Sequence, residues 1–367
     1  GAQSKLDSIQ RLDEVVIKAK TYKQVIPAQV LKGEELKKLN SFSVADAIRY
    51  FSGLQIKDYG GVAGLKTVNI RSMGTNHMGV FYNGIQLGNA QNGQIDLGKF
   101  SLDNIEEISL YNGQKSEIFQ SAKEFGSSGS IYLTTRRPKF EGNKNTNMLV
   151  KAKAGSYGFL NPALLYEYKL SEKISTCMSA EWIGSAGDYK FRYRRVDVEG
   201  NLKYDTTAVR HNSDIDAMRI DAGLYGVFEK GKWNAFAYHY TSERGIPGAI
   251  VNNVWKRSER LWDRNSFIQG GVEYDLLPKL STRINMKYAF DYTHYNNNDP
   301  SIKLADDIYK QKEFYFSWSN KYSISPAWDV SLAYDFQWND FDGYNVTDDH
   351  DKEHPSNQAT RGTHWLS

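Results

Sequence analysis

From about residue 145 onward, apolar side chains recur at every second position. Ile284, Met286, Tyr288, Phe290 and Tyr292 point one way, while Arg283, Asn285, Lys287 and Asp291 point the other. Trp328, Val330, Leu332, Tyr334, Phe336 and Trp338 form one face against Asp329, Ser331, Asp335 and Gln337. Weaker versions run through Met218-Ile220-Ala222-Leu224, Ile174-Thr176-Met178-Ala180-Trp182 and Tyr166-Tyr168-Leu170. A repeat of two belongs to a β-strand with two unlike faces. No apolar run reaches the roughly 18 residues of a membrane-spanning helix. The chain therefore folds as strands, either in water or across a membrane.

A soluble sandwich also alternates, so the connections have to decide. Short links ("LSEK", "EKGK", "LLPKLS", "SISPA") take turns with long polar ones covering about 184–215, 241–265, 293–310 and 340–360. Short turns on one rim and long loops on the other are the habit of an outer-membrane barrel. Apolar faces that end in Tyr and Trp fit its interfacial girdles. The expected fold is an up-and-down antiparallel membrane β-barrel. Nine strands can be read, with a tenth beginning at "RGTHWLS". A barrel with an open edge in lipid leaves backbone groups unpaired at several kcal/mol each, and only a barrel of roughly 22 strands holds a plug. About half of such a barrel is expected in this chain.

The 49 aromatic residues divide unevenly. Residues 1–144 hold 13 of them and no tryptophan, and the rest of the chain holds the others, including all eight tryptophans. This places a boundary at the polar stretch "EGNKNTN" and predicts an N-terminal extension at 1–20, an α+β plug at 21–144 and barrel at 145–367. In the first half, "VLKGEELKKLNSFSVADAIRYFSGLQI" reads as two short helices, with Ser43 capping the second and Gly53 ending it. "YNGI" reads as a hairpin turn centred on Asn83-Gly84. A net charge of +3 gives no broad field for nucleic acid. The single cysteine, Cys177, excludes a disulfide framework within the chain and is expected on the lumen side. "GAQSKLDSIQ" has neither the basic start nor the apolar core of a signal peptide, as expected of a mature exported protein.

Residues 12–19, "LDEVVIKA", form a β-prone run with no evident sheet partner nearby. Followed by "SVADAIRYFSGLQI", "VNIRSMG", "GVFYNGIQL", "LDNIEEISLYNG" and "GSSGSIYLTTRRP", it resembles the start of TonB-dependent outer-membrane receptors. Ser72, where many relatives carry glycine, is the one departure noted. Within that superfamily the stretch from Asn76 to Gln114, and "SERGIPGAIVNN", are most similar to cobalamin (vitamin) receptors of Bacteroidetes type.

The resemblance implies active transport of cobalamin or a related corrinoid across the bacterial outer membrane, with no enzymatic step. It makes Leu12, Asp13, Glu14, Val15, Val16, Ile17, Lys18 and Ala19 the TonB-binding strand, one whose partner is expected on another protein. Arg71 would anchor the plug to the barrel wall. At the plug apex Asn76, His77, Asn89, Gln91 and Asn92 offer donors and acceptors without charge, which suits a large neutral ligand bearing amides; the same residues also serve turn geometry. Trp255, Trp262 and Tyr295 would either cover an apolar ligand face or sit in a girdle. Asp188, Asp197, Asp205, Asp214 and Asp216 are calcium candidates or a solvated acidic loop. "HDKEH" at 350–354 has the spacing of some zinc peptidases, but it lies in a loop ahead of Pro355, where the helix that chemistry needs is blocked. Membrane lipid, and a surface-exposed substrate-binding lipoprotein, are further implied partners; nucleic acid is not. The alternatives are a receptor for a siderophore, haem or glycan, a passive pore or adhesin, and a barrel-embedded hydrolase, for which no nucleophile elbow is found.

Overall fold

The structure, a computed structural model, describes residues 10–11, 18–20, 29–33, 35–36, 54–58, 66–70, 78–87, 99–111, 129–155, 158–187, 189–196, 202–210, 214–245, 250–251, 254–255, 259–297, 305–345 and 357–366. The N-terminal part contributes β1 (Gln10–Arg11), β2 (Lys18–Lys20), β3 (Gln29–Lys32), β4 (Leu54–Asp58), β5 (Lys66–Ile70), β6 (Met78–Tyr82), β7 (Ile85–Leu87), β8 (Ile105–Tyr111) and β9 (Gly129–Thr135). Five of these make a mixed sheet in the order β3-β8-β9-β6-β7, in which only β6 and β9 run parallel. Its core is Leu31, Val80, Ile108, Leu110, Ile131 and Leu133, all but fully buried. The turn between β6 and β7 is the one foreseen: Asn83 and Gly84 both adopt positive φ, 49° and 83°, the pair of values a two-residue hairpin loop requires. Glu35 and Leu36 are helical; the predicted helix over 44–51 lies outside the described residues.

The remainder forms β10 (Thr146–Ala154), β11 (Leu160–Lys169), β12 (Ile174–Ser185), β13 (Tyr189–Val196), β14 (Leu202–Arg210), β15 (Ile215–Phe228), β16 (Gly231–Gly245), β17 (Ile250–Val251), β18 (Val254–Trp255), β19 (Glu259–Leu277), β20 (Leu280–Asn297), β21 (Ala305–Ser325), β22 (Trp328–Asn345) and β23 (Asn357–Leu366). Ten of them pair antiparallel, each with its successor, in the order β10-β11-β12-β15-β16-β19-β20-β21-β22-β23. β13 with β14, and β17 with β18, are separate hairpins set into two of the long connections.

Which face of this sheet is apolar separates a membrane barrel from a water-soluble one. Ile268 is 65% exposed, whereas its neighbours Phe267 and Gln269 are 7% and 2% exposed. The same inversion recurs on β12, β15, β20, β21 and β22. Met178, Trp182, Met218, Ile220, Leu224, Met286, Tyr288, Trp318 and Leu332 face outward, while Glu181, Arg219, Asp221, Asn285, Lys287, Glu313 and Asp335 are buried inside. An exterior this apolar is unfavourable in water and favourable in hydrocarbon, where the ladder must satisfy every backbone group. Cys177 lies on the inner face, packed with Leu165 and Tyr225.

Two expectations need correction. The strands outrun their apolar faces: β20 continues to Asn297, β21 begins at Ala305 and β22 reaches Asn345, so much of the supposed loops at 293–310 and 340–360 is paired strand. Outside the bilayer a strand no longer needs an apolar face, so alternation fades before hydrogen bonding does. The 12–19 strand was also expected to lack a partner within the chain. Instead Lys18 and Ala19 pair with Ser331 and Val330, and β1 adds parallel to β23. β23 covers β22 only from Tyr334 to Gly343, and the edge left at 329–331 presents unpaired amides and carbonyls that a short strand satisfies. Residues 12–17 lie outside the described residues.

The exposed face predicts a depth-dependent penalty. Ile268→Arg, near the middle of the apolar belt, should cost about 2–4 kcal/mol in denaturant unfolding from phospholipid vesicles, while Ile268→Leu stays close to neutral. Equal stability of the two variants would remove the belt.

Candidate functional site

The N-terminal sheet sits inside the curve of the barrel wall, and the contact between them is built around two plug segments, the β6–β7 hairpin and the stretch that begins at Lys99. The hairpin is rigid by itself. Asn83 accepts from the Thr135 amide (2.9 Å) and donates to the Thr135 hydroxyl (2.8 Å), which in turn meets Tyr225 of the wall at 2.7 Å. Gly84 is needed twice, for its positive φ and because a Cβ there would lie 2.2 Å from Nη2 of Arg283 on the barrel. Tyr82 carries the apolar part of the contact. Its ring packs against Phe100 of the plug and against Phe236 and Phe267 of the wall, with centroids 5.7, 5.2 and 6.0 Å away. Burial, and then the Asp221 carboxylate, push the Tyr82 phenol well above its ordinary value, so its hydroxyl stays protonated and neutral.

Around this apolar centre the wall holds the plug by its backbone. The Lys99 carbonyl accepts from Nε of Arg219 (2.6 Å) and from the Tyr238 hydroxyl (2.5 Å). The Tyr82 carbonyl accepts from Gln269 (3.1 Å), and the Gln86 carbonyl from Lys287 (3.3 Å). The wall's own charges are neutralised in sequence. Arg219 meets Glu181 at 2.6 Å, Arg244 and Lys99 each lie 3.5 Å from Asp263, and Lys287 lies 3.5 Å from Glu313. Asn161 and Thr293 complete the hydrogen bonding of Glu181 and Asp263. Farther round, Arg136 reaches Glu167 (3.1 Å) and Asp103 reaches Lys151 (2.9 Å).

Buried ion pairs of this kind add little to stability relative to apolar packing, but losing one partner strands a charge at about 3–5 kcal/mol. The seat is thus held by specific pairing, and it can let go where a pair is disrupted. Arg219 is the pivotal side chain, because one guanidinium grips Lys99 of the plug and Glu181 of the wall together. The sequence reading did not single out Lys99, Arg219 or Asp263. Arginines and carboxylates on lumen positions were visible, but which of them meet the plug depends on pairings more than 100 residues apart, such as Lys99 with Arg219 and with Asp263.

Of the residues that were singled out, Arg71 and the apex group Asn76, His77, Asn89, Gln91 and Asn92 lie outside the described residues, as do Asp188, Asp197 and the "HDKEH" run. Asp205 is on β14, opposite Arg194. Asp214 is bound by Arg260 (2.6 Å), and Asp216 accepts the Trp182 indole (2.6 Å) on the outer face, so these two are engaged elsewhere. Among the described residues no group of three or more His, Cys, Asp or Glu gathers as a metal cage. Trp262 faces outward, stacked on His294 with centroids 4.8 Å apart. Tyr295 faces the lumen, on the inner side of β20.

Arg219→Leu is expected to leave Glu181 and the Lys99 carbonyl unmatched and to loosen the plug by about 3–5 kcal/mol. In planar bilayers the full-length protein carrying it should show raised ion conductance, which Arg219→Lys raises less. Unaltered conductance and unfolding midpoint would mean that the pair does not hold the seat.

Residues 20–126 match the family model TonB-dependent Receptor Plug Domain. Solved structures with the same fold include the siderophore receptor PiuA from Acinetobacter baumannii (13% identity, TM-score 0.58, 86% of this chain and 46% of that one). The copper transporter OprC (13%, 0.64, 92% and 47%) and BauA, the ferric preacinetobactin receptor from Acinetobacter baumannii (12%, 0.60, 86% and 47%), are similar in the same degree. The chain spans about half the length of these proteins. Its fold is that of TonB-dependent outer-membrane receptors, a plug domain seated against part of their transmembrane barrel.

Proposed function

We propose that this chain belongs to an energised transporter of the bacterial outer membrane, in which ligand binds at the outer face and TonB pulls on the N-terminal segment. The observation that carries the reading is the seat itself. A plug held inside a lipid-facing barrel by backbone hydrogen bonds and matched buried charges is a closed door that needs work to open. The cycle requires binding, release of the plug and passage, with no covalent step. Residues 12–19 are the proposed handle. As a strand added to a TonB sheet edge they would form a few main-chain hydrogen bonds, each worth about 0.5–1.5 kcal/mol, which is strong enough to transmit a pull and weak enough to reverse. In this structure Lys18 and Ala19 lie on a sheet edge, the pairing mode that a TonB edge would offer.

For the ligand, the amide-rich and uncharged apex sequence supports cobalamin or a related corrinoid. A siderophore is the second reading, favoured by the fold's likeness to PiuA, named as a siderophore receptor, and to BauA, named as a ferric preacinetobactin receptor.

Deleting residues 12–19 from the full-length receptor should abolish uptake and leave ligand binding intact. Val16→Pro should come close to the deletion, since it removes a main-chain donor, while Val16→Ala stays near wild type. Uptake that survives the deletion would sink the transport reading. Calorimetry with cyanocobalamin separates the two ligands: no heat at micromolar concentration would remove cobalamin and leave the siderophore.

A further inference from the structure

The formal net charge of the chain, +3, comes from one place. Residues 189–210, the β13–β14 hairpin and its turn, hold six bases (Lys190, Arg192, Arg194, Arg195, Lys203 and Arg210) against three acids (Asp197, Glu199 and Asp205). The rest of the chain holds 40 Lys or Arg and 40 Asp or Glu. On the two strands themselves Asp205 is the single acid, and its register partner is Arg194. The outer face of β19–β22 is charged as well, but in balance. Tyr315 and Ser317 are buried on the lumen side of β21, which puts Lys310 and Lys312 outside, register-opposite Asp342 and Asp340 of β22. Arg260 is held by Asp214 and Glu243, Asp306 meets His294, and Arg264 lies over the Tyr292 ring, 5.4 Å from its centroid.

The register of the hairpin sorts its bases. Successive residues of a strand fall on opposite faces, and pairing is regular from Tyr189 with Arg210 to Arg195 with Tyr204, after which the register shifts. One face therefore takes Tyr189, Phe191, Tyr193 and Tyr204, with Arg195 and Arg210 at its two ends. The other takes Lys190, Arg192 and Arg194, in line across from Val209, Thr207 and Asp205. The ribbon is aromatic on one face and basic on the other. Its height follows from β12 and β15, between which it is inserted. Trp182 and Met218 are register partners on the lipid side, 37% and 36% exposed, and the next outward pair is Gly184 with Asp216, so the apolar belt ends there. Tyr189 follows Trp182 by seven residues and Arg210 precedes Met218 by eight, which keeps the base of the ribbon within roughly 25 Å of chain from the belt.

We infer that this hairpin docks on the outer leaflet of the membrane and binds a lipid whose headgroup carries more than one phosphate. The inference goes beyond the transport reading, because it concerns the surroundings of the barrel and not its cargo. Long connections of such barrels open to the outside, so the leaflet in reach is the outer one. Tyrosine and phenylalanine rings are at home at headgroup level. A ribbon with an aromatic face and an excess of bases is the strand counterpart of an interfacial amphipathic helix, whose binding grows with buried apolar area and with attraction to anionic headgroups. Lys190, Arg192 and Arg194 in line cover about 13 Å, a span that one phosphate does not fill and two can. The guanidinium forks of Arg192 and Arg194 match phosphate oxygens in pairs. The balanced wall of β19–β22 offers no comparable excess.

The test uses the full-length protein in detergent, with native mass spectrometry reading bound lipid. The probes are bisphosphorylated lipid A, the same lipid with both phosphates removed, and inorganic pyrophosphate as competitor. Wild type should hold the bisphosphorylated lipid at least tenfold more tightly than the dephosphorylated one, and pyrophosphate should displace it poorly. Lys190→Ala, Arg192→Ala and Arg194→Ala should each weaken that binding about fivefold at low salt, the worth of one base at an anionic surface, with unchanged thermal unfolding. Lys310→Ala and Lys312→Ala, on the balanced wall, should alter it less than twofold. Equal binding of the two lipids, displacement by pyrophosphate as effective as by lipid, or indifference to the three hairpin variants would overturn the inference. Hairpin variants that keep the lipid and lose cyanocobalamin would make the ribbon a cover for the lumen, and would overturn it too. Uptake after deletion of residues 12–19 does not bear on the hairpin, so the two readings stand or fall separately.

Discussion

Everything in this molecule follows from the requirement that a chain crossing hydrocarbon leave no backbone amide or carbonyl unmet. An antiparallel ladder meets it, and the ladder forces side chains to alternate between lipid and lumen with no intermediate choice. Ile268 and Gln269 are adjacent residues that live in opposite solvents. Once that alternation is set, a buried interior of Glu, Arg, Asp and Asn follows without further cause, because the lumen is where polar groups can find partners.

The plug uses that interior in an economical way. Its own sheet is an ordinary apolar core, Leu31, Val80, Ile108 and Ile131 among others, and Tyr82 extends that core onto Phe236 and Phe267 of the wall. The grip, however, is made by wall side chains on plug carbonyls: Arg219 and Tyr238 on Lys99, Gln269 on Tyr82, Lys287 on Gln86. A carbonyl is present at every residue, so such contacts constrain the path of the plug chain more than its side-chain identity. The donors are specified instead on the barrel, where Arg219 and Lys287 are also matched by carboxylates and Tyr238 is packed by rings.

The barrel was largely legible from the sequence, because alternation is local and each strand declares its own faces. Met286 with Lys287, and Leu332 with Asp335, fell on the sides assigned to them. The Asn83-Gly84 turn was legible for the same reason, since a positive φ at both positions narrows the residue choice. Strand ends were not: beyond Thr293 the outward positions turn polar while pairing continues to Asn297. The seat was hidden more deeply. Lys99 has nothing unusual beside it in sequence, and its role appears only when three strands bring Arg219, Tyr238 and Asp263 to it. The short edge at 329–331 that takes up Lys18 and Ala19 likewise depends on how far β23 extends, which no local pattern states.

The alternation along β21 has an evolutionary corollary. Asp307, Tyr309 and Gln311 face the lumen, and Ile308, Lys310 and Lys312 face outward. These two sets share no position, although they interleave within six residues of one strand. Substitution in one set can change the chemistry of the lumen while the lipid-facing surface is kept, or the reverse. The two records of selection can then be read separately from odd and even columns of the same few residues.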